Sequence, residues 1–207
     1  MAFFVTLRST ALGLSLLAMA GCSAISSIQT ASKPLDTFEL SPLPAGTVSA
    51  RQSRRYLEVA MPSATGAFAS DRIVVKPTPL KIESLPDARW INDATEHVQL
   101  LLVRSLANSG RFALVTAAGS GPSPDYVLMT DLRAFQAEVG PESVTIVIRS
   151  TMSLLSDSDG RVVSSRSFDS SATAPDTSRE MVVAAFDAAM TAHLTEVLDW
   201  IAKTPLR

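Results

Sequence analysis

Three long segments with alternating apolar and polar residues dominate the second half of the chain. In the segment 142–155, five apolar residues fall on one face, namely Val144, Ile146, Ile148, Met152 and Leu154. In the segment 125–138, Tyr126, Leu128 and Leu132 share one face, and the segment 162–171 follows the segment 142–155 after a short polar turn, as its partner strand. This pattern predicts half-buried strands ending in an antiparallel hairpin. A slip of phase in the first segment predicts a β-bulge near Ala134.

Two other stretches have helical periodicity. Apolar residues recur every three or four positions from Asp87 to Ser109 and again from Ser178 to about Lys203. Shorter extended runs, at 55–61, 73–75, 80–82 and 112–115, predict further strands. Because strands joined by short turns are antiparallel, we predict an α+β fold. In it, two long amphipathic helices cover one face of a mostly antiparallel sheet.

The first 21 residues have a different pattern. A single charge precedes an apolar run from Ala11 to Ala20, which is too short for a membrane span of about 20 residues. This is typical of a secretory signal. The segment Met19-Ala20-Gly21-Cys22 resembles a bacterial lipobox, which implies cleavage between Gly21 and Cys22 and acylation of the Cys22 thiol. A plain signal peptide followed by an incidental cysteine is the alternative interpretation.

The chain is therefore divided into a lipoprotein signal peptide (1–21), a lipidated N-terminus and linker (22–53) and a folded domain (54–207). The linker is rich in Ser, Ala, Thr and Pro and shows no sustained period. Within it, Phe38 and Leu40 alternate with polar residues, which predicts an edge strand ended by two prolines. Because two acyl chains hold a protein stably on a membrane, we expect a periplasm-facing, lipid-anchored protein.

Composition limits the possible functions. The balance of 18 basic against 20 acidic residues excludes binding to nucleic acid by electrostatic attraction, and a single cysteine excludes internal disulfides. The two histidines, His97 and His193, lie beside the apolar stripes of the helices and have no motif around them. The acidic turn 157–160 lacks the Glu that a calcium loop needs. We predict no catalytic residue, no metal site and no cofactor.

Aromatic and apolar residues near element ends are the candidate docking residues. Trp90 begins the first predicted helix and Trp200 lies near the end of the second, as core anchors or as part of a partner interface. Phe38 and Leu40 lie on the predicted edge strand, which could add to the sheet of a partner. We therefore predict docking through Phe38, Leu40, Trp90 and Trp200.

An ordered set of short motifs covers almost the whole chain after Cys22. The motifs are Phe38-Glu39-Leu40-Ser41-Pro42, Tyr56-Leu57-Glu58-Val59, Asp71-Arg72-Ile73-Val74, Asp87-Ala88-Arg89-Trp90, Asn108-Ser109-Gly110-Arg111-Phe112, Asp125-Tyr126-Val127-Leu128 and Ala185-Phe186-Asp187-Ala188-Ala189. With these motifs the chain resembles the ABC-type transport auxiliary lipoproteins. The resemblance implies a fold like the TolB N-terminal domain and a non-enzymatic role in an MCE-type lipid transport system.

The same resemblance implies the partners: an MCE-domain protein, and the permease and ATPase of the same system. Assembly with further copies of this chain stays open. Ser23 after the lipidated cysteine favours the outer membrane over the inner membrane, by resemblance to other Gram-negative lipoproteins. The alternatives are an outer-membrane lipoprotein of lipopolysaccharide assembly and a lipoprotein hydrolase that uses His97 or His193.

Overall fold

The secondary structure follows from the computed structural model, which describes residues 34–48 and 51–206. Within these residues, nine strands and two α-helices follow in the order β1 (Asp36–Phe38), β2 (Tyr56–Val59), β3 (Ser63–Ala64), β4 (Arg72–Thr78), β5 (Lys81–Trp90), α1 (Ala94–Asn108), β6 (Leu114–Ala117), β7 (Tyr126–Val139), β8 (Val144–Ser156), β9 (Val162–Ala174) and α2 (Arg179–Lys203). The compact unit begins at Asp36.

Strand β7 organises the sheet because its two edges are paired differently. Along one edge, β8 pairs with it antiparallel over the whole length, and β9 then pairs with β8. Along the other edge, β2, β3 and β4 pair with successive parts of β7, and all three are parallel to it. Beyond them, β6 lies beside β2, while β5 and then β1 lie beside β4.

The long strands were predicted correctly, together with the β8–β9 hairpin. The pairing of β7 with β8 shifts register between Leu132 and Ala134, which confirms the predicted bulge. Helix α2 also begins where its pattern begins, with Ser178 at the N-cap position. These elements could be predicted because the signals for them, a periodic pattern or a short turn, lie within a continuous stretch of sequence.

The prediction of a mostly antiparallel sheet was wrong, because the sheet is mixed. Five pairings are parallel, namely β1–β5, β2–β6, β2–β7, β3–β7 and β4–β7, and three are antiparallel. Parallel partners need long connections. The segments between β2 and β7 provide these connections, since they contain a hairpin and a helix. The short turns therefore predicted the antiparallel pairings and gave no information on the parallel ones.

Helix α1 begins later than predicted. Residues 87–90 belong to the end of β5, and Asp93 occupies the N-cap position instead of Asp87. Asp87 has a φ of 54°, a left-handed conformation that Asp tolerates better than most residues. The strand continues past it because Ala88 and Trp90 point into the core, with 0% and 1% exposure.

The two helices pack against different strands of the sheet and touch each other. Helix α1 packs against β2 and β6, and the side-chain amide of Gln99 donates to the carbonyl of Val59 at 2.9 Å. Helix α2 packs against β8 and β9. By length and composition α2 could cross a bilayer, but half of its apolar window is buried in this body. Its apolar face is thus used by the core.

Candidate functional site

The segment from Asp36 to Val48, here called the strap, is the first part of the compact unit. The strap was predicted as part of a linker that ends at residue 53, but Leu40, Leu43 and Val48 are buried in the core. Its apolar residues are spaced irregularly because it follows the surface of two helices and forms only one short strand. The folded body therefore begins at Asp36 rather than at residue 54.

Side chains from α1 satisfy the backbone of the strap. The Leu40 amide donates to Nε2 of His97 at 3.1 Å, and the Leu43 amide donates to Oγ of Ser105 at 3.0 Å. The side-chain amide of Asn108 donates to the Leu43 carbonyl at 2.8 Å. The strap makes few hydrogen bonds to neighbouring strands. Its backbone N–H and C=O groups are therefore satisfied by these side chains instead.

Helix α2 holds the same segment from its other side. The Ser41 amide donates to Oδ1 of Asp187 at 2.7 Å, and Arg179 forms an ion pair with Asp36 at 2.5 Å. At the surface, Arg104 of α1 pairs with Glu39 at 3.0 Å. The strap is therefore held by both helices over most of its length.

His97 has a structural role in this arrangement. Its side chain is 2% exposed, and burial lowers its pKa, with the charge of Glu39 opposing the effect and that of Arg104 adding to it. Because Nε2 accepts the Leu40 amide, the neutral ring carries its proton on Nδ1. Nδ1 has no hydrogen-bond partner among the described residues. The ring edge packs on Trp90, with 5.6 Å between centroids.

His193 is the second buried histidine and lies between α2 and the hairpin. Its Nε2 is 2.9 Å from Oγ of Ser150, and its Nδ1 is 3.1 Å from Oγ of Ser170. Burial lowers the pKa of His193 to about 4, and the charge of Asp169 opposes this shift. The distance to Ser150 would suit a nucleophile and its base. However, both side chains are almost fully buried, so no substrate reaches them without opening of the core.

Three of the four predicted docking residues lie in the core. Leu40, Trp90 and Trp200 are 2%, 1% and 8% exposed, and the indole Nε1 of Trp200 donates to Oγ of Ser164 at 2.9 Å. In this structure they stabilise the body and form no docking surface. For Trp90 and Trp200 the structure agrees with the interpretation as core anchors and not with docking, and a tryptophan at the end of an element has the same sequence pattern in both cases. Docking through Phe38, which is half-buried on β1, stays a prediction.

An exposed apolar feature that the sequence analysis missed lies at the far end of the β4–β5 hairpin. It is called here the apolar tip and consists of Pro77, Pro79, Leu80, Ile82 and Val139. Leu80 is 98% exposed, Ile82 57% and Val139 42%. A cleft of about 210 Å³ is lined by the two prolines and Val139 together with three polar residues. The available signal was an apolar residue inside a proline-flanked turn, where polar residues are normal.

A second cleft of about 170 Å³ lies between the base of this hairpin and the beginning of α2. Its apolar lining includes Val75, Leu85, Val139, Val144 and Val182. Within residues 34–48 and 51–206, no group of three or more His, Cys, Asp or Glu side chains is placed to hold a metal ion. The candidate lipidation and cleavage residues, Cys22 and Gly21, lie outside the described residues.

Comparison with known proteins identifies related chains. A family model described as "ABC-type transport auxiliary lipoprotein component" matches residues 38–197. The crystal structure of protein XCC0632 from Xanthomonas campestris, which carries the family label DUF330, is similar with a TM-score of 0.75 and 31% identity. The match covers 82% of this chain and 96% of that one. A search of curated proteins gave no match.

Two more distant structures are also similar. The crystal structure of an uncharacterized protein has a TM-score of 0.61 at 14% identity, covering 80% of this chain and 99% of that one, and this likeness concerns the fold alone. A PelC dodecamer from Paraburkholderia phytofirmans has a TM-score of 0.48 at 17% identity, covering 73% and 92%. That likeness is too low to support an argument about assembly.

Proposed function

The chain belongs to the family of ABC-type transport auxiliary lipoprotein components, and we propose that it is the lipid-anchored adaptor of an MCE-type system. In this role it moves no substrate by its own chemistry. It connects a membrane to the lipid-binding and ATP-hydrolysing chains that move phospholipid or a related apolar compound. The observation that carries the proposal is the family match, which extends from the strap to α2.

An adaptor acts through its surfaces and requires no catalytic group of its own. The best nucleophile–base pair, Ser150 with His193, is closed off in the core. The sequence also has no glycine-rich phosphate loop, so ATP hydrolysis falls to partner chains. A binding function requires accessible surfaces, and the body presents such surfaces at the β1 edge and at the apolar tip.

The anchor of this adaptor is the acylated thiol of Cys22 after cleavage of residues 1–21, and Ser23 favours the outer membrane. Cys22 precedes the strap by fourteen residues. Tension on the acyl chains would act on Asp36 first and then on the backbone bonded to His97, Ser105 and Asp187. A strap clamped by two helices suits a protein that is pulled from its N-terminus.

Docking of the MCE-domain partner is proposed at the β1 edge. Strand β1 ends the sheet on this side, next to β5, and carries the half-buried Phe38. Strand addition from a partner would use backbone hydrogen bonds for affinity and the Phe38 ring for specificity.

A photo-crosslinking experiment tests the partner. A crosslinking amino acid replaces Phe38 in one variant and Val162 in the control variant, since Val162 is 55% exposed and lies on β9, at the other edge of the sheet. We expect a covalent adduct with an MCE-domain protein from position 38 and none from position 162. An adduct with an outer-membrane barrel protein instead would contradict the MCE assignment and favour lipopolysaccharide assembly.

The anchor is tested by Cys22→Ala. We expect an unlipidated precursor that keeps residues 1–21, detected by intact mass. Thermal stability should not change, because residue 22 lies before the compact unit that begins at Asp36. Ser23→Ala is the matched control and should stay acylated. Acylation of the Cys22→Ala variant would contradict the interpretation of residues 19–22 as a lipobox.

A further inference from the structure

The apolar tip contains a side chain whose exposure the fold does not explain. Strands β4 and β5 are joined by the two-residue turn Pro79–Leu80, with Thr78 opposite Lys81 as the last pair. Two-residue hairpin turns favour Gly, Asn and Asp, and a leucine contributes nothing to their geometry. Since 98% of Leu80 is exposed, folding gains no burial from it either. Ile82, two residues later, is 57% exposed.

The direction of β1 relates the tip to the point where the chain enters the body. Strand β1 is parallel to β5, with Asp36 opposite Ala88. Strand β5 starts at Lys81, beside the tip, and both strands run away from it. The chain therefore joins the body at the end of β1 that faces the tip. The offset is seven residues of β5, or at most about 23 Å along the strand.

The length of chain before the body allows the anchor and the tip to share one membrane. Asp36 follows Cys22 by fourteen residue steps, which span about 50 Å when fully extended. This reach exceeds the offset between Asp36 and the tip. A bilayer that holds acyl chains on Cys22 is thus within range of Leu80.

We propose that the apolar tip inserts into the surface of the bilayer that holds the Cys22 acyl chains, so that the protein touches its membrane at two points. The inference rests on the proposed lipidation of Cys22. A bilayer fits this feature because Leu80 and Ile82 project from a narrow turn. A protein partner more often buries an anchor residue surrounded by a broad complementary surface.

The charges beside the tip decide what kind of membrane contact this is. Lys76 and Lys81 are positive, Glu83 and Glu138 are negative, and Lys81 pairs with Glu83. Their sum is zero, so the contact depends on apolar burial and not on attraction to anionic lipids. The insertion should therefore occur on zwitterionic vesicles and persist in high salt.

A fluorescent label at the tip tests the proposal. The lipidated mature protein is prepared as Leu80→Cys and labelled with an environment-sensitive dye, since its only other thiol is acylated. Ser158→Cys is the matched control, because the β8–β9 turn lies at the opposite end of β7, where Tyr126 pairs with Ser156. Both proteins are reconstituted on phosphatidylcholine vesicles with and without lipids that carry a quencher. Ile82→Cys repeats the measurement at a second position.

We expect the emission of the dye at position 80 to shift to the blue on the vesicles, and most of its intensity to be lost when the quencher lipids are present. The dye at position 158 should show neither change. High salt should leave this difference unchanged. The proposal is overturned if both dyes stay in water while the proteins float with the vesicles. It is equally overturned if the dye at position 80 becomes shielded only when a protein partner is added. If neither protein floats, the Cys22 anchor fails and the proposed function fails with it.

Discussion

Two aromatic clusters, each of which contains a buried histidine, lie in the core of this body. The strap cluster consists of Trp90, His97, Phe135 and Phe186, with ring centroids 5.2 to 5.6 Å apart. The hairpin cluster consists of Phe168, His193 and Trp200, with the Phe168 ring 5.6 to 5.8 Å from the other two. The clusters have similar chemistry, but they connect different parts of the chain.

The hairpin cluster is local and its polar atoms are satisfied. It joins β9 to α2, which follow each other in the chain, and both nitrogens of His193 have serine partners. The strap cluster joins β5, α1, β7 and α2 and adds the strap through His97. In that cluster, Nε1 of Trp90 and Nδ1 of His97 have no partner among the described residues. The strap cluster thus packs together elements that are far apart in the sequence, and it buries two N–H groups that have no hydrogen-bond partner among the described residues.

The largest effect is expected when the indole of the strap cluster is removed. Trp90→Ala should lower the free energy of unfolding by about 3–5 kcal/mol, the usual cost of removing a fully buried tryptophan. Trp200→Ala should cost less, because Trp200 lies at the margin of the core. Urea unfolding followed by circular dichroism measures both.

The matched pair Trp90→Phe and Trp200→Phe separates packing from hydrogen bonding. Trp90→Phe removes an N–H group without a partner, whereas Trp200→Phe removes a donor to Ser164. Relative to the corresponding alanine variants, we expect Trp90→Phe to recover the larger share of stability. Equal recovery at both positions would mean that the satisfaction of polar atoms does not distinguish the clusters.

The second effect concerns pH and is centred on the hairpin cluster. His193 stays neutral in the folded state down to a pKa of about 4, whereas an unfolded imidazole titrates near 6.5. Between these values the unfolded state binds more protons, so stability falls as the pH is lowered through this window. The loss that His193 alone causes from pH 7 to pH 4 is about 3 kcal/mol.

Unfolding free energies at several pH values test this linkage. His193→Gln should flatten the pH dependence between pH 6.5 and 4, because glutamine does not titrate. His97→Gln should flatten it as well, since burial also lowers the pKa of His97. An unchanged slope in His193→Gln would show that other groups govern the acid sensitivity of the body.

The difference between the two clusters also explains which parts of the fold were predictable. The strands, turn and helix around the hairpin cluster are consecutive, and they were predicted from local periodicity and from the short turn that joins β8 to β9. The region of the strap cluster was predicted poorly. Trp90 was assigned to a helix, and Leu40 was placed in a linker. Both assignments failed because the partners that bury these residues lie far away in the sequence.

The parallel pairings of β7 could not be predicted from the sequence, for a related reason. Strands β2, β3 and β4 are short, and nothing in their residues indicates which part of β7 each will meet. Of the docking residues, only Phe38 has a side chain that is not buried. The apolar tip was overlooked since a single leucine in a turn becomes informative only when its exposure is known.

The smallest effect is expected from loss of the bond that holds the strap. His97→Leu leaves the Leu40 amide buried without an acceptor, which should cost about 1–3 kcal/mol. His193→Leu is the control, because Ser150 and Ser170 keep hydroxyl groups that can rotate to other acceptors. Amide hydrogen exchange at Leu40 is the decisive readout. It should accelerate in His97→Leu by more than the loss of global stability explains, and in His193→Leu only in proportion to that loss. Proportional changes in both variants would mean that the strap is held by the core as a whole and not by His97.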